Sequence, residues 1–135
     1  MTIRSGSCLC GKSHFALDDE QPTVAICHCT HCQKSTSSAY SVNAISPRAK
    51  LTVSGPLKKF ADKGDSGGAV DRWFCADCGS QVWTEAEAMP GAAIVKAGCF
   101  DDTSWLKPTL EIYCDSRQKW TPLVEGAASF AKMPG

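Results

Sequence analysis

Cys27-His28-Cys29-Thr30-His31-Cys32 places three cysteines and two histidines within six residues. Thiolate and imidazole are the ligands zinc prefers. Core packing does not account for so dense a run, because neighbouring side chains cannot all point one way. Two more cysteine pairs flank it, Cys8-Leu9-Cys10 near the N-terminus and Cys75-Ala76-Asp77-Cys78 past the middle. Seven clustered cysteines divide as four plus three. Structural zinc takes four tetrahedral ligands, whereas catalytic zinc keeps three and an open position. The outer pairs, Cys8/Cys10 and Cys75/Cys78, are therefore expected to close one zinc site that staples distant parts of the chain. Two separate knuckles or a redox Cys-x-x-Cys are the alternatives, but no helical pattern follows Cys78, as a thioredoxin-like motif requires. Cys27, Cys29 and Cys32 supply a second site. Its fourth position falls to water, to His28 or His31, or to an outside thiol. An open site would bind a small thiol and deprotonate it, whereas a histidine ligand would make the site closed and structural.

Composition sets the frame around these clusters. Hydrophobic residues make up 43% and charged residues 21% of the 135 residues, which suits one globular domain over residues 1–135 with its own core. Lys+Arg and Asp+Glu both number 14, so the basic excess of a nucleic-acid binder is missing. Thiolate ligation of two zinc ions would leave the loaded chain mildly acidic. The first residues carry no long apolar run, and no stretch approaches the roughly 18–20 apolar residues of a membrane span. The expectation is a cytoplasmic protein, in which spaced cysteines read as metal ligands before disulfides. Cys99 and Cys114 stand singly and read as small buried hydrophobes, and His14 as a strand residue without a role in the chemistry.

Short runs with strand character recur between turn residues. They cover Lys12–Leu17, Thr23–Ile26, Ala39–Ile45, Leu51–Val53, Leu57–Ala61, Ala69–Phe74, Gln81–Thr84, Ala92–Ala97 and Leu110–Cys114. Thr30 is placed to cap a short helix reaching about Lys34, with Ser35–Ser38 as a loop. Asp62–Gly68 reads as a hairpin turn, and Trp120–Phe130 as irregular or weakly helical. The chain is thus predicted to be mainly β.

The segments Gly6-Ser7-Cys8-Leu9-Cys10-Gly11, Cys27-His28-Cys29-Thr30-His31-Cys32 and Arg72-Trp73-Phe74-Cys75-Ala76-Asp77-Cys78-Gly79 resemble the glutathione-dependent formaldehyde-activating enzyme family, which also includes centromere protein V. Ala97-Gly98-Cys99-Phe100-Asp101-Asp102, Pro108–Tyr113 and Trp120 extend the resemblance over nearly the whole chain. It implies coiled, mostly antiparallel β-sheets stapled by zinc, a fold shared with a chaperone-like partner of small GTPases. It implies a structural zinc on Cys8, Cys10, Cys75 and Cys78, and a second zinc on Cys27, Cys29 and Cys32, where glutathione binds. The implied reaction joins glutathione to formaldehyde, a carbon–sulfur lyase written in reverse. Three positions depart from the family pattern. Gln33 stands where an arginine is common, Ser37 where glycine is common, and Cys99 where threonine or serine is common.

Two functions are carried forward. One is a zinc-dependent carbon–sulfur lyase acting on adducts of a small thiol and an aldehyde. In it His28 or His31 shuttles the proton, and Lys34, Arg48 and Arg72 are candidates for the carboxylates of the thiol ligand. The other is a thiol carrier or a zinc-stapled protein-interaction module without turnover.

Overall fold

The computed structural model describes residues 2–134; the expected domain over 1–135 extends one residue beyond this range at each end. The described chain is mainly β. Eleven strands and one helix run in order: β1 (Ile3–Ser7), β2 (His14–Asp18), β3 (Thr23–Cys27), α1 (Thr30–Thr36), β4 (Ser41–Pro47), β5 (Leu51–Ser54), β6 (Leu57–Lys63), β7 (Ala69–Cys75), β8 (Gln81–Ala86), β9 (Ala92–Lys96), β10 (Leu110–Ile112) and β11 (Ala128–Ser129). No described helix is long and apolar enough to cross a membrane.

The strands form two sheets. The smaller has the order β1-β2-β5, and the larger β11-β10-β3-β4-β9-β8-β7-β6. Most pairings are antiparallel, among them the sequence-adjacent pairs β1–β2, β6–β7, β7–β8 and β8–β9. Two are parallel. β10 lies beside β3 and beside β11 in that sense. The chain from α1 through β9 separates β3 from β10, and residues 113–127 separate β10 from β11, long enough for the crossovers parallel pairs need. The segment 120–130, expected to be irregular or weakly helical, forms no helix, and its end adds β11 to the sheet edge. β1, not anticipated, reads Ile-Arg-Ser-Gly-Ser, in which no apolar alternation marks a strand.

Period-2 alternation gives the large sheet two different faces. Ala44, Trp83, Ala93 and Val95 face the small sheet, where Phe15, Leu17 and Leu51 complete the core; Val82 joins that core at the irregularity of the β7–β8 ladder. The cysteine staple belongs to this core, since Cys8 and Cys75 are both buried within it. Alternate residues of the same strands, among them Ala25, Asn43, Ile45, Thr84, Ile94 and Lys96, line a cavity.

Gly6 is where the small sheet meets the segment that follows β9. It bridges to Phe100, and a Cβ at this position would lie 2.2 Å from the Cys99 carbonyl oxygen and 2.5 Å from the Phe15 ring. Neither obstacle is the flexible end of a side chain. Gly6→Ala is therefore expected to cost about 3 kcal/mol or more, read as a lower midpoint in denaturant.

Candidate metal centres

The four-cysteine cluster is built by two tight turns of the same design. Cys8-Leu9-Cys10 is followed by Gly11 at φ 82°, and Cys75-Ala76-Asp77-Cys78 by Gly79 at φ 80°. That left-handed backbone favours glycine. It lets the Gly11 N–H reach the Cys8 carbonyl at 3.1 Å and the Gly79 N–H reach the Cys75 carbonyl at 2.9 Å. The turns face each other. The Leu9 N–H donates to the Ser80 hydroxyl at 3.1 Å, and Lys12 pairs with Asp77 at 2.9 Å. All four sulfurs lie within 4.8 Å of one another, with Cys8 and Cys10 3.5 Å apart and Cys10 and Cys75 3.7 Å apart. A tetrahedral ion about 2.3 Å from each sulfur would space them by about 3.8 Å. The donor set and its spacing are thus compatible with zinc.

Electrostatics supports the same view. The Ser80 hydroxyl and backbone amides hold Cys78 down at about 5. The Lys12 amide pulls Cys10 down, but desolvation and crowding by Cys8, Cys78 and Cys75 outweigh it and push Cys10 up to about 12. Adjacent thiols cannot all ionise unless a cation enters.

Cys27, Cys29 and Cys32 form the second cluster, their sulfurs also within 4.8 Å of one another. Cys27 ends β3, and Cys29 precedes α1. The helix N-cap is Cys29, one residue before the expected Thr30; its sulfur accepts from the Cys32 N–H at 3.3 Å. Interaction with Cys29 and Cys32, together with burial, pushes Cys27 upward. Cys27 and Cys29 draw Cys32 downward, helped by the charge of Lys96. Helix α1 runs to Thr36, past the expected end at Lys34.

Neither histidine of the run joins this cluster. His28 is fully buried, and its Nε2 lies 2.8 Å from Glu111 Oε1 on β10. Glu111 Oε2 in turn accepts from the Val124 N–H at 2.7 Å, so the pair fastens the C-terminal segment beneath the cysteine turn. His28 does not line the cavity, which removes the structural basis for its expected shuttle role. His31 is half-exposed, with Nδ1 2.8 Å from Asp62 Oδ2.

The cavity beside the triplet has a volume of about 190 Å³. Its polar wall contains Asn43, Thr84, Lys96 and Arg72. Lys96 is 8% exposed and donates from Nζ to Asn43 Oδ1 at 2.8 Å. Arg72 is 7% exposed and donates through Nε to Asp62 at 3.0 Å. A wider groove of about 680 Å³ holds Lys34, Ser35, Phe60 and Gln81, and shares Thr30, His31 and Arg72 with the cavity.

The three expected cations part company here. Arg72 lines both spaces and Lys34 the groove alone. Arg48 lines neither: its guanidinium lies 4.7 Å from the centre of the Trp83 ring, in the core on the opposite face of the sheet, and donates to the Leu51 carbonyl. Gln33 also points elsewhere. Its Nε2 donates to the His28 and Ser116 carbonyls at 2.8 and 3.0 Å, and its Oε1 accepts from Gln118. The glutamine thus ties the turn to the C-terminal segment and takes no cation away from the cavity. Lys96 and Asn43 were not anticipated, although a lysine in the apolar strand Ala-Ala-Ile-Val-Lys is a usable signal. Cys99 and Cys114 are only partly buried; their sulfurs donate to the Gln81 and Glu111 carbonyls, and burial pushes Cys99 up to about 11. His14 lies exposed at the start of β2.

The fold and these two clusters define a β-protein with one four-cysteine and one three-cysteine cluster, each able to hold a metal ion. The model of the family described as glutathione-dependent formaldehyde-activating enzyme matches residues 3–116, and the chain belongs to that family. The crystal structure of a Rhodobacter sphaeroides protein matches with a TM-score of 0.58 and 18% identity, over 77% of this chain and 91% of that one. At that identity the likeness shows the fold alone.

Two predictions follow from local geometry. Ser37 closes α1 at φ 52°, a left-handed position that costs a side chain more than it costs glycine. Ser37→Gly is expected to raise stability by roughly 0.5–1 kcal/mol, seen as a higher Tm. Burial pushes Asp62 up, but His31, the Lys63 amide and Arg72 together outweigh it and hold its carboxyl below the usual range. Its contribution is complete above about pH 4 and fades as pH falls through the folded value. The stability difference between the wild type and Asp62→Asn should therefore shrink as pH falls below about 4, measured by denaturant titration.

Proposed function

We propose that the chain is a zinc-dependent carbon–sulfur lyase that makes or breaks the adduct of a small thiol, such as glutathione, with an aldehyde. The observation that carries this reading is the position of Cys27, Cys29 and Cys32. Three sulfurs without an imidazole partner stand in the wall of a cavity that also presents Lys96 and Arg72. Cys8, Cys10, Cys75 and Cys78 hold the structural zinc. A zinc on the triplet would supply Lewis acidity that keeps a substrate sulfur ionised at neutral pH.

The chain's own residues do the rest. Arg72 and Lys34 receive the carboxylates of the thiol, which extends into the groove they share with His31. Lys96, fixed by Asn43, favours negative charge beside the triplet. His31 is the proton carrier, because Asp62 orients its ring through Nδ1 and leaves Nε2 for the substrate. In the breaking direction the adduct hydroxyl gives its proton to Nε2. Its oxygen forms the aldehyde C=O, and the C–S electron pair returns to sulfur. In the joining direction sulfur attacks the carbonyl carbon and the oxygen takes the proton back.

Elemental analysis of protein purified under reducing conditions should find two zinc ions per chain, and one in Cys29→Ser. That variant should keep its fold and lose the acceleration of glutathione–formaldehyde exchange followed by NMR. His31→Gln should keep both metals and lose about a hundredfold in rate. Full activity in Cys29→Ser would overturn the proposal. Saturable glutathione binding with no acceleration for any aldehyde would leave a thiol carrier.

A further inference from the structure

The cavity is larger and more apolar than a one-carbon substrate requires. Asp65, Ser66, Ser116 and Lys132 add polar groups to the lining, but its apolar part is extended: Ala25, Ile45, Val70, Ala86, Met89 and Ile94. Strand register explains the division. Ala25, Asn43 and Lys96 stand in one cross-strand row near Cys27. Ile45 and Ile94 stand in the next, followed by Thr84 and Arg72, and Ala86 pairs with Val70 beyond them. A formaldehyde-derived hydroxymethyl group has almost no apolar surface. Bound at the triplet, it would leave much of the 190 Å³ against hydrocarbon walls that water wets poorly.

We infer that the site takes an adduct whose carbonyl-derived half is larger than one carbon: a hydrocarbon chain or ring lying along Ile45, Ile94, Ala86 and Val70. The inference rests on the reading that the substrate sulfur lies at Cys27, Cys29 and Cys32. The substrate class is thus a thiol adduct of an apolar aldehyde, with formaldehyde a poor fit to the space.

S-alkyl glutathiones test the pocket without chemistry, because the thioether has no adduct bond to break. With zinc-loaded protein, calorimetry on the methyl, propyl, butyl and hexyl thioethers should show affinity rising about fourfold per methylene until the far wall is reached. Ala86→Phe, which fills the cavity from the end of β8, should flatten the series. Exchange assays with hexanal and formaldehyde complete the design, with hexanal expected to show at least a tenfold higher kcat/KM, about one buried side-chain fragment's worth. A flat or falling series in the wild type overturns the inference, whether or not the variant folds. A rising series without acceleration of any aldehyde leaves the pocket standing and overturns the lyase reading. Acceleration of formaldehyde with a flat series does the reverse.

Discussion

Repulsion among sulfurs held within 4.8 Å of one another is the constraint around which this molecule is arranged. Four thiolates cannot share such a volume unless a cation joins them. Once joined, they tie the turn after β1 to the turn between β7 and β8. The loop from Cys10 to Cys75 spans 65 positions, and closing one of that length costs about 4 kcal/mol of chain entropy. Cys8 and Cys75 are also core residues, so the same bond that closes the loop sets the small sheet against the large one. Core and cavity then occupy opposite faces of a single sheet, and whatever fixes one face fixes the other.

Much of this was legible in the residues. Cysteine spacing marked both clusters because ligand spacing is a local property, and short alternating runs between turn residues marked the β class. What the sequence hid was long-range. Nothing in Leu110–Ile112 announces a parallel neighbour, since parallel pairing depends on where the crossover returns. His28 sits between two cluster cysteines and looks like a ligand or shuttle, but the neighbouring side chains of an extended turn diverge, and Glu111, 83 residues away, claims its ring. Arg48 carries the right charge on the wrong face. Lys96 has the right face in a strand whose hydrophobicity suggested only core. For Lys96 the deciding fact is the face of β9 it occupies; for His28 and Arg48, which lie just past strand ends, it is the partner each meets in the fold, Glu111 and Trp83.

The two clusters differ in how they are held. The four-cysteine centre is drawn from two turns and reinforced across them by Lys12–Asp77 and Leu9–Ser80. The three-cysteine centre lies on one continuous run. Its surroundings come from farther away: Glu111 and Val124 below through His28, and Ser116 and Gln118 beside it through Gln33. Departures from the family pattern at Gln33 and Ser37 thus fall in the frame of the site. They act on the turn and on the helix end, away from the atoms a ligand would meet.

The 65-position separation between Cys10 and Cys75 also has a consequence in time. A ribosome adding about 5–20 residues per second delivers the first pair several seconds before the second emerges. During that interval Cys8 and Cys10 are an incomplete chelate on a nascent chain, able to take a metal but not to enclose it. Cys27, Cys29 and Cys32 appear within a single short stretch and can gather a metal before either sheet exists. A metal held by the four-cysteine cluster could thus be enclosed only after Cys78 has emerged, whereas the triplet is complete as soon as Cys32 leaves the ribosome.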